Sequence, residues 1–257
     1  MAAKGKTLAN LGLTTAQASH LLVQGLAVDS REVRPGYLFA ALPGARVHGA
    51  EFAEYACRQG ASAILTDPQG ADFIARTLFE HKADICVVDD PRQALAGAAA
   101  LFFGSQPKVM AAVTGTNGKT SVSTFCRQIW TQIGLSAVNM GTTGAEGAWS
   151  APLHHTTPEP ITLHRALAQA VEAGVTHAAM EASSHGLEQR RLDGVKLCAA
   201  GFTNFTQDHL DYHDSFDAYF AAKAGLFDRV LSPDGTAVIN IDDIKGKRLV
   251  VTLPGAG

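Results

Sequence analysis

The feature that most restricts how this chain can fold is the run Ala111-Ala112-Val113-Thr114-Gly115-Thr116-Asn117-Gly118-Lys119-Thr120-Ser121. An apolar stretch starting at Val109 reads as a buried strand, the glycines permit a tight turn, and Lys-Thr-Ser opens a helical pattern to about Thr131. Strand, glycine turn and helix start in that order bring backbone N–H groups and a helix N-terminus to bear on one anion. On this reading the glycines let backbone N–H groups of the turn curl around phosphate oxygens. Lys119 reaches the β- and γ-phosphates, and the Thr120 hydroxyl offers an oxygen to Mg²⁺. The longer form of such loops has a glycine where this chain has Val113, so the match is to a shortened variant. The alternative is an ordinary strand–turn–helix with a surface lysine.

The rest of the chain supplies an α/β frame for that turn. Strands are expected at Leu26–Asp29, Tyr37–Leu42, Ala63–Thr66 and Ile85–Val88, then at Val109–Thr114, Ala137–Met140, His177–Glu181, Leu197–Phe202 and Ala237–Ile241. Helices fit Thr15–Gln24, Glu51–Gln59, Ala71–Glu80, Pro91–Phe103, Lys119–Thr131, Leu163–Ala173 and Phe216–Val230. Asp89-Asp90-Pro91 is a strong helix start, because acidic groups favour the dipole and proline suits the first turn. Gly104-Ser105-Gln106-Pro107 breaks the preceding helix and reads as a linker. The fold class is therefore α/β: a small α/β domain over 1–106, then a phosphate-loop-type, mostly parallel α/β domain over 107–257. After Asn240-Ile241-Asp242-Asp243 the pattern shows no closing helix or strand.

At 257 residues the chain is long enough for two domains, and a net charge of −3 gives no footprint for nucleic acid or an anionic membrane. A phosphate-bearing ligand must then be held by local geometry and a few placed cations. Cys57, Cys86, Cys126 and Cys198 show no CxxC spacing and lie in or beside apolar stretches, which reads as buried thiols in a reducing compartment. Neither a signal-peptide pattern nor an 18-residue apolar run is visible, and the expected location is cytoplasmic.

Three downstream segments carry further chemistry. Glu181 closes a strand, and carboxyl ends of parallel strands are where ligands collect in open α/β sheets. It faces either the phosphate crevice, as a Mg²⁺ contact, or solvent. Phe202-Thr203-Asn204-Phe205-Thr206-Gln207-Asp208-His209-Leu210-Asp211-Tyr212-His213 is a metal or phosphate site or a polar turn with capping aspartates; spacing does not separate these. Lys223, in Tyr219-Phe220-Ala221-Ala222-Lys223-Ala224, reads locally as a solvated helix lysine.

The loop Gly115-Thr116-Asn117-Gly118-Lys119-Thr120 resembles that of the Mur ligase and folylpolyglutamate synthetase superfamily. Met140-Gly141-Thr142-Thr143-Gly144, Thr156-Thr157-Pro158, Met180-Glu181-Ala182-Ser183-Ser184-His185-Gly186-Leu187, Gln189, Arg191, Asp208 through His213, and Ala222-Lys223 narrow it to Mur ligases that add the third stem-peptide residue. Asp29-Ser30-Arg31, Pro35-Gly36, Leu38 through Leu42, Gly44 and His48-Gly49 resemble the same family's uridine-binding domain.

The resemblance implies an ATP-dependent ligase of peptidoglycan precursor synthesis. Its substrate would be UDP-N-acetylmuramoyl-L-alanyl-D-glutamate, its second partner diaminopimelate or lysine, and its cofactor Mg²⁺ beside ATP. Gly115 through Ser121 would hold ATP. Val28 and Ser30 match uridine contacts, with Ala45-Arg46-Val47 a weaker correspondence. Thr156, Thr157, Ser183, Gln189 and Arg191 match contacts to the muramoyl-dipeptide end. Lys119, Glu181, His209 and Lys223 match catalytic positions; Thr120, Glu181, His209 and Lys223, the last as a carbamate, match metal positions. Family members continue into a carboxy-terminal domain that binds the amino acid, and the expectation is that this chain lacks it, has an incomplete central domain and does not turn over alone. Two other classes remain open: a phosphate-loop kinase or NTPase, against which Asp29-Ser30-Arg31 argues, and a non-catalytic UDP-sugar-binding module.

Overall fold

The computed structural model describes residues 5–15, 20–77, 79, 82–206, 213 and 215–252. The chain divides into two compact units, 1–104 and 105–257. In the first, β1 (Lys6–Thr7) pairs antiparallel with β2 (Leu22–Val23). A four-stranded parallel sheet follows in the order β3 (Gly25–Ala27), β4 (Tyr37–Ala40), β5 (Ala63–Thr66), β6 (Asp84–Val87). Helices α1 (Ala53–Arg58), α2 (Pro68–Thr77) and α3 (Pro91–Phe103) connect and flank it. β5 is buried at every position, as expected of an interior parallel strand covered on both faces. The Asp90 carboxylate accepts the Gln93 N–H and Pro91 occupies the first turn, so α3 begins where its sequence signal places it.

The second unit is built on a six-stranded sheet. Its elements are β7 (Val109–Thr114), α4 (Lys119–Gln132), β8 (Ala137–Gly141), β9 (Gly144–Gly147), α5 (Pro160–Glu172), β10 (His177–Glu181), α6 (Ser184–Glu188), β11 (Leu197–Phe202), α7 (Phe216–Gly225), β12 (Leu231–Ile239) and α8 (Ile244–Thr252). The order is β12-β11-β7-β10-β8-β9, parallel except for the β8–β9 hairpin. β7 therefore lies inside the sheet, so the glycine turn that follows it opens beside the ends of β10 and β11. Met110, Val138, Met140, Leu163, Leu167, Met180 and Leu187 form much of the core beneath. Each such side chain, fully buried, contributes about 1.5–3 kcal/mol.

Several expectations are corrected. The helix expected over Thr15–Gln24 is not what Leu22 and Val23 form: they pair with β1, while 16–19 fall outside the described residues. The strand expected to run to Asp29 ends at Ala27, because the Asp29 side chain accepts the Arg31 N–H and caps a short 3₁₀ turn over Ser30–Glu32. α7 stops at Gly225 and passes into a π-type turn over Leu226–Val230. The chain does have a closing helix, α8: Asp243 Oδ1 accepts the N–H groups of Lys245 and Gly246, and Leu249 packs into the core. All four cysteines are free, yet only Cys86 is fully buried, its thiol pushed up to about 12 by burial; Cys198 is exposed. Among the described residues no helix is long and apolar enough to cross a membrane.

His164, on the buried face of α5, is 1% exposed, and among the described residues its Nε2 has no hydrogen-bond partner. Burial pushes its pKa down to about 4. The unfolded chain then binds a proton that the folded chain refuses between about pH 6.5 and 4, so folding stability falls as pH is lowered through that window. The loss approaches ~3 kcal/mol at its lower end. Both tryptophans, Trp130 and Trp149, lie in the second unit and report its unfolding. Urea titrations followed by their fluorescence should show less stability at pH 5 than at pH 7, with the difference abolished in His164→Leu; an equal slope in both proteins would refute this assignment.

Candidate functional site

In the second unit the carboxyl ends of β7, β8 and β10 meet. The turn after β7 passes through Gly118 at φ +86°, a left-handed conformation that disfavours a side chain, and α4 begins at Lys119. Lys119 Nζ folds back to donate to the carbonyls of Gly115 (3.0 Å) and Thr116 (2.8 Å). The turn is braced by the segment after β11: Thr203 Oγ1 donates to the Asn117 carbonyl at 2.7 Å, and the Asn204 side chain accepts the Asn117 N–H at 3.0 Å. Asn117 and Gly118 are exposed, so the top of the turn is open to a ligand.

Glu181, at the end of β10, is 2% exposed. Its Oε1 accepts the Thr120 hydroxyl at 3.0 Å and the Thr142 N–H at 2.9 Å, and its Oε2 lies 3.3 Å from Thr142 Oγ1. Gly141, closing β8, makes this possible, since an added Cβ there would collide with the Glu181 carboxylate. Among the described residues the hydrogen-bond partners of this carboxylate are the neutral Thr120 and Thr142. The Glu181 carbonyl accepts the Thr157 hydroxyl at 3.0 Å, and that hydroxyl accepts the Ser183 N–H at 3.0 Å. Ser183 caps α6 by accepting the Gly186 N–H. Arg191 Nη1 donates to the Thr157 carbonyl at 2.6 Å, and its Nη2 holds Gln189 Oε1 at 2.7 Å.

Lys223 is 1% exposed, not solvated as its local sequence suggests. Its Nζ donates to the Gly115 carbonyl at 2.7 Å and sits 4.4 Å from the Tyr219 ring centroid. The turn thus carries two lysine ammonium groups on the one Gly115 carbonyl. A cavity of about 440 Å³ is lined by Thr116 to Thr120, Thr142, Thr156, Thr157, Glu181, Ser183, Arg191 and Lys223, together with Ser184, His155 and His185. Of the expected residues, Gly115, Ser121 and Gln189 lie outside this lining: Gly115 is buried, Ser121 is exposed on the first turn of α4, and Gln189 reaches the site through Arg191. His209, with Asp208 and Asp211, lies outside the described residues. The sequence alone gives no role to Thr142 or Tyr219; a threonine just beyond a strand end is the available signal for the first.

The first unit carries its own cavity of about 780 Å³, lined by Val28, Asp29, Ser30, Arg31, Phe39, Ala40, Leu42, Val47, Gly49, Phe52 and Tyr55. It also lies at the carboxyl ends of parallel strands. Val28 and Ser30 are in this lining; of Ala45-Arg46-Val47 only Val47 is. Asp29 is held below the usual carboxylate range by its hydrogen bond from the Arg31 guanidinium.

Two family models match the chain. A family model described as "Mur ligase middle domain" matches residues 113–256, and one described as "Mur ligase family, catalytic domain" matches 22–103. A UDP-N-acetylmuramoyl-L-alanyl-D-glutamate–2,6-diaminopimelate ligase of Brucella melitensis is 49% identical over 90% of this chain and 46% of its own length. The enzyme of the same name from Mesorhizobium japonicum is 49% identical over 88% of this chain and 46% of its own. A solved structure of a ligase so named superposes with a TM-score of 0.79 at 31% identity, covering 96% of this chain and 50% of that one. The chain spans about half the length of the curated relatives it matches.

Gly141→Ala should therefore force Glu181 out of its place. Overpacking of this kind costs about 1–3 kcal/mol. Urea unfolding followed by tryptophan fluorescence measures it, and an unchanged midpoint would mean that the carboxylate has room to move.

Proposed function

The chain belongs to the Mur ligase family, and from that premise we propose that it forms the nucleotide-binding and phosphate-activating part of a cytoplasmic, ATP-dependent amide ligase of peptidoglycan precursor synthesis. The substrate is UDP-N-acetylmuramoyl-L-alanyl-D-glutamate, and the added residue is diaminopimelate or lysine, diaminopimelate being the one in the relatives' names. On this reading residues 1–106 hold the uridine nucleotide and residues 107–257 hold ATP. The observation that carries it is the convergence of the glycine turn, two lysines, a buried carboxylate and Arg191 on one polar cavity.

Gly115 through Ser121 bind the ATP phosphates, the start of α4 and Lys119 opposing their charge. Thr120 and Glu181 supply hard oxygens for Mg²⁺, a cation that needs only one or two protein ligands beside phosphate and water; the neutral partners of the Glu181 carboxylate suit such a cation. His209 is assigned to the same ion by resemblance. When bound there, Mg²⁺ would offset negative charge on the phosphates. Thr156, Thr157, Ser183, Gln189 and Arg191 orient the dipeptide end, Arg191 by pairing with a carboxylate. Val28 and Ser30 contact the uridine.

The D-glutamate γ-carboxylate then attacks the γ-phosphorus as the bond to ADP breaks, giving an acyl phosphate. The incoming amine adds to the acyl carbon, loses a proton and expels phosphate. Lys223 is assigned as a carbamate, formed when its amine adds CO₂ and releases a proton. The reaction turns a cation beside the turn into a carboxylate for the metal.

Two outcomes check this reading. In calorimetric titrations the chain should bind UDP-N-acetylmuramoyl-L-alanyl-D-glutamate more tightly than UDP; equal affinities would remove the assignment of the dipeptide contacts. In a full-length ligase carrying these residues, Lys223→Ala should lower turnover by about 10²–10³, with partial recovery on adding short carboxylic acids. Full activity of that variant without additive would make Lys223 a structural lysine only.

A further inference from the structure

Between β4 and the 3₁₀ turn Gly49–Phe52 the chain makes a short excursion, closed at its base where the Gly49 N–H donates to the Leu42 carbonyl at 2.9 Å. Leu42, Val47 and Gly49 on this excursion line the first unit's cavity. His48 does not; its ring turns the other way. Nδ1 accepts the Ala50 N–H at 3.0 Å, and Nε2 lies 3.1 Å from Asp67 Oδ1. With Nδ1 used as an acceptor, the neutral ring carries its proton on Nε2 and donates it to Asp67. The same Asp67 Oδ1 accepts the Gly70 N–H at 2.7 Å, in the first turn of α2. Both side chains are largely withdrawn from water, at 14% and 15% exposed. Gly70 is the seat of the ring: a Cβ there would lie 2.6 Å from His48 Cε1 and would also strike Thr66 Oγ1.

We propose that His48 is a positioning residue for the first unit's ligand, clipping the cavity-lining excursion to the start of α2 through Asp67, with Gly70 leaving room for the ring. The inference rests on the reading that this cavity takes a uridine nucleotide. Ordering a wall of the cavity before the ligand arrives removes a cost that binding would otherwise bear. A hydrogen bond to an ionised acceptor in a partly buried place is strong enough that its loss should weaken binding about tenfold.

The test titrates UDP and, separately, ADP into the wild-type chain, His48→Asn and Gly70→Ala. Asparagine keeps an acceptor for the Ala50 N–H but is too short for Asp67, and neither position lines the cavity. Both variants should lose about tenfold in UDP affinity while ADP affinity stays within about twofold. Nitrogen NMR of the wild type should place the neutral His48 proton on Nε2. UDP affinity unchanged in both variants, or a proton on Nδ1, would overturn the inference while leaving the uridine reading standing. Parallel loss of UDP and ADP affinity with a lowered melting temperature would make the clip merely structural and overturn it as well. A wild-type chain that binds ADP but not UDP would overturn the uridine reading, and the inference with it.

Discussion

A carboxylate kept almost out of water governs the second unit. Glu181 stands at the end of an interior strand, and its oxygens are met by a hydroxyl from the first turn of α4 and by the N–H and hydroxyl of Thr142 after β8. Three separate chain segments are thereby registered against one another at the mouth of the sheet. Burial of a charge among neutral donors is costly in the free protein. On the proposed function a cation held by Glu181 would offset that charge.

The two lysines apply the complementary pressure. Lys119 and Lys223 both donate to the Gly115 carbonyl, one from the helix that the turn begins and one from α7. Tyr219 underlies the second, and its hydroxyl lies 3.3 Å from Thr116 Oγ1. Both amines thus lie against the turn, and the Glu181 carboxylate lines the same cavity; on the proposed function the second amine becomes a carbamate. On the proposed function, repulsion between the substrate's carboxylate and the γ-phosphate must be offset before they meet, and Lys119 supplies charge of the required sign.

Much of this was legible in the sequence wherever the chemistry is contiguous. The run from Val109 to Ser121 holds strand, turn and helix start together, and α3 announces itself by Asp90-Pro91. Glu181 could be placed because a strand end in a parallel sheet has a known direction. The burial of Lys223 could not: its neighbours Ala221, Ala222 and Ala224 describe a helix, not what packs over it, and the partner carbonyl lies 108 positions away. The short pairing of Leu22–Val23 with Lys6–Thr7 was missed for a similar reason, since two-residue strands carry no periodicity. α8 was missed because its start depends on the Asp243 cap, which sits in a polar turn that reads as a chain ending. The pair His48–Asp67 spans two loops and leaves no local pattern at all.

On the proposed function Glu181 and Thr120 belong, with His209 and the Lys223 carbamate, to a Mg²⁺ site joined to the phosphate turn. Calorimetric titration of ADP into the chain, with and without Mg²⁺, tests it when repeated on Glu181→Gln. Wild type should bind ADP more tightly with Mg²⁺, and the glutamine variant should keep its metal-free affinity while losing most of that enhancement. An enhancement of the same size in both proteins would contradict the assignment.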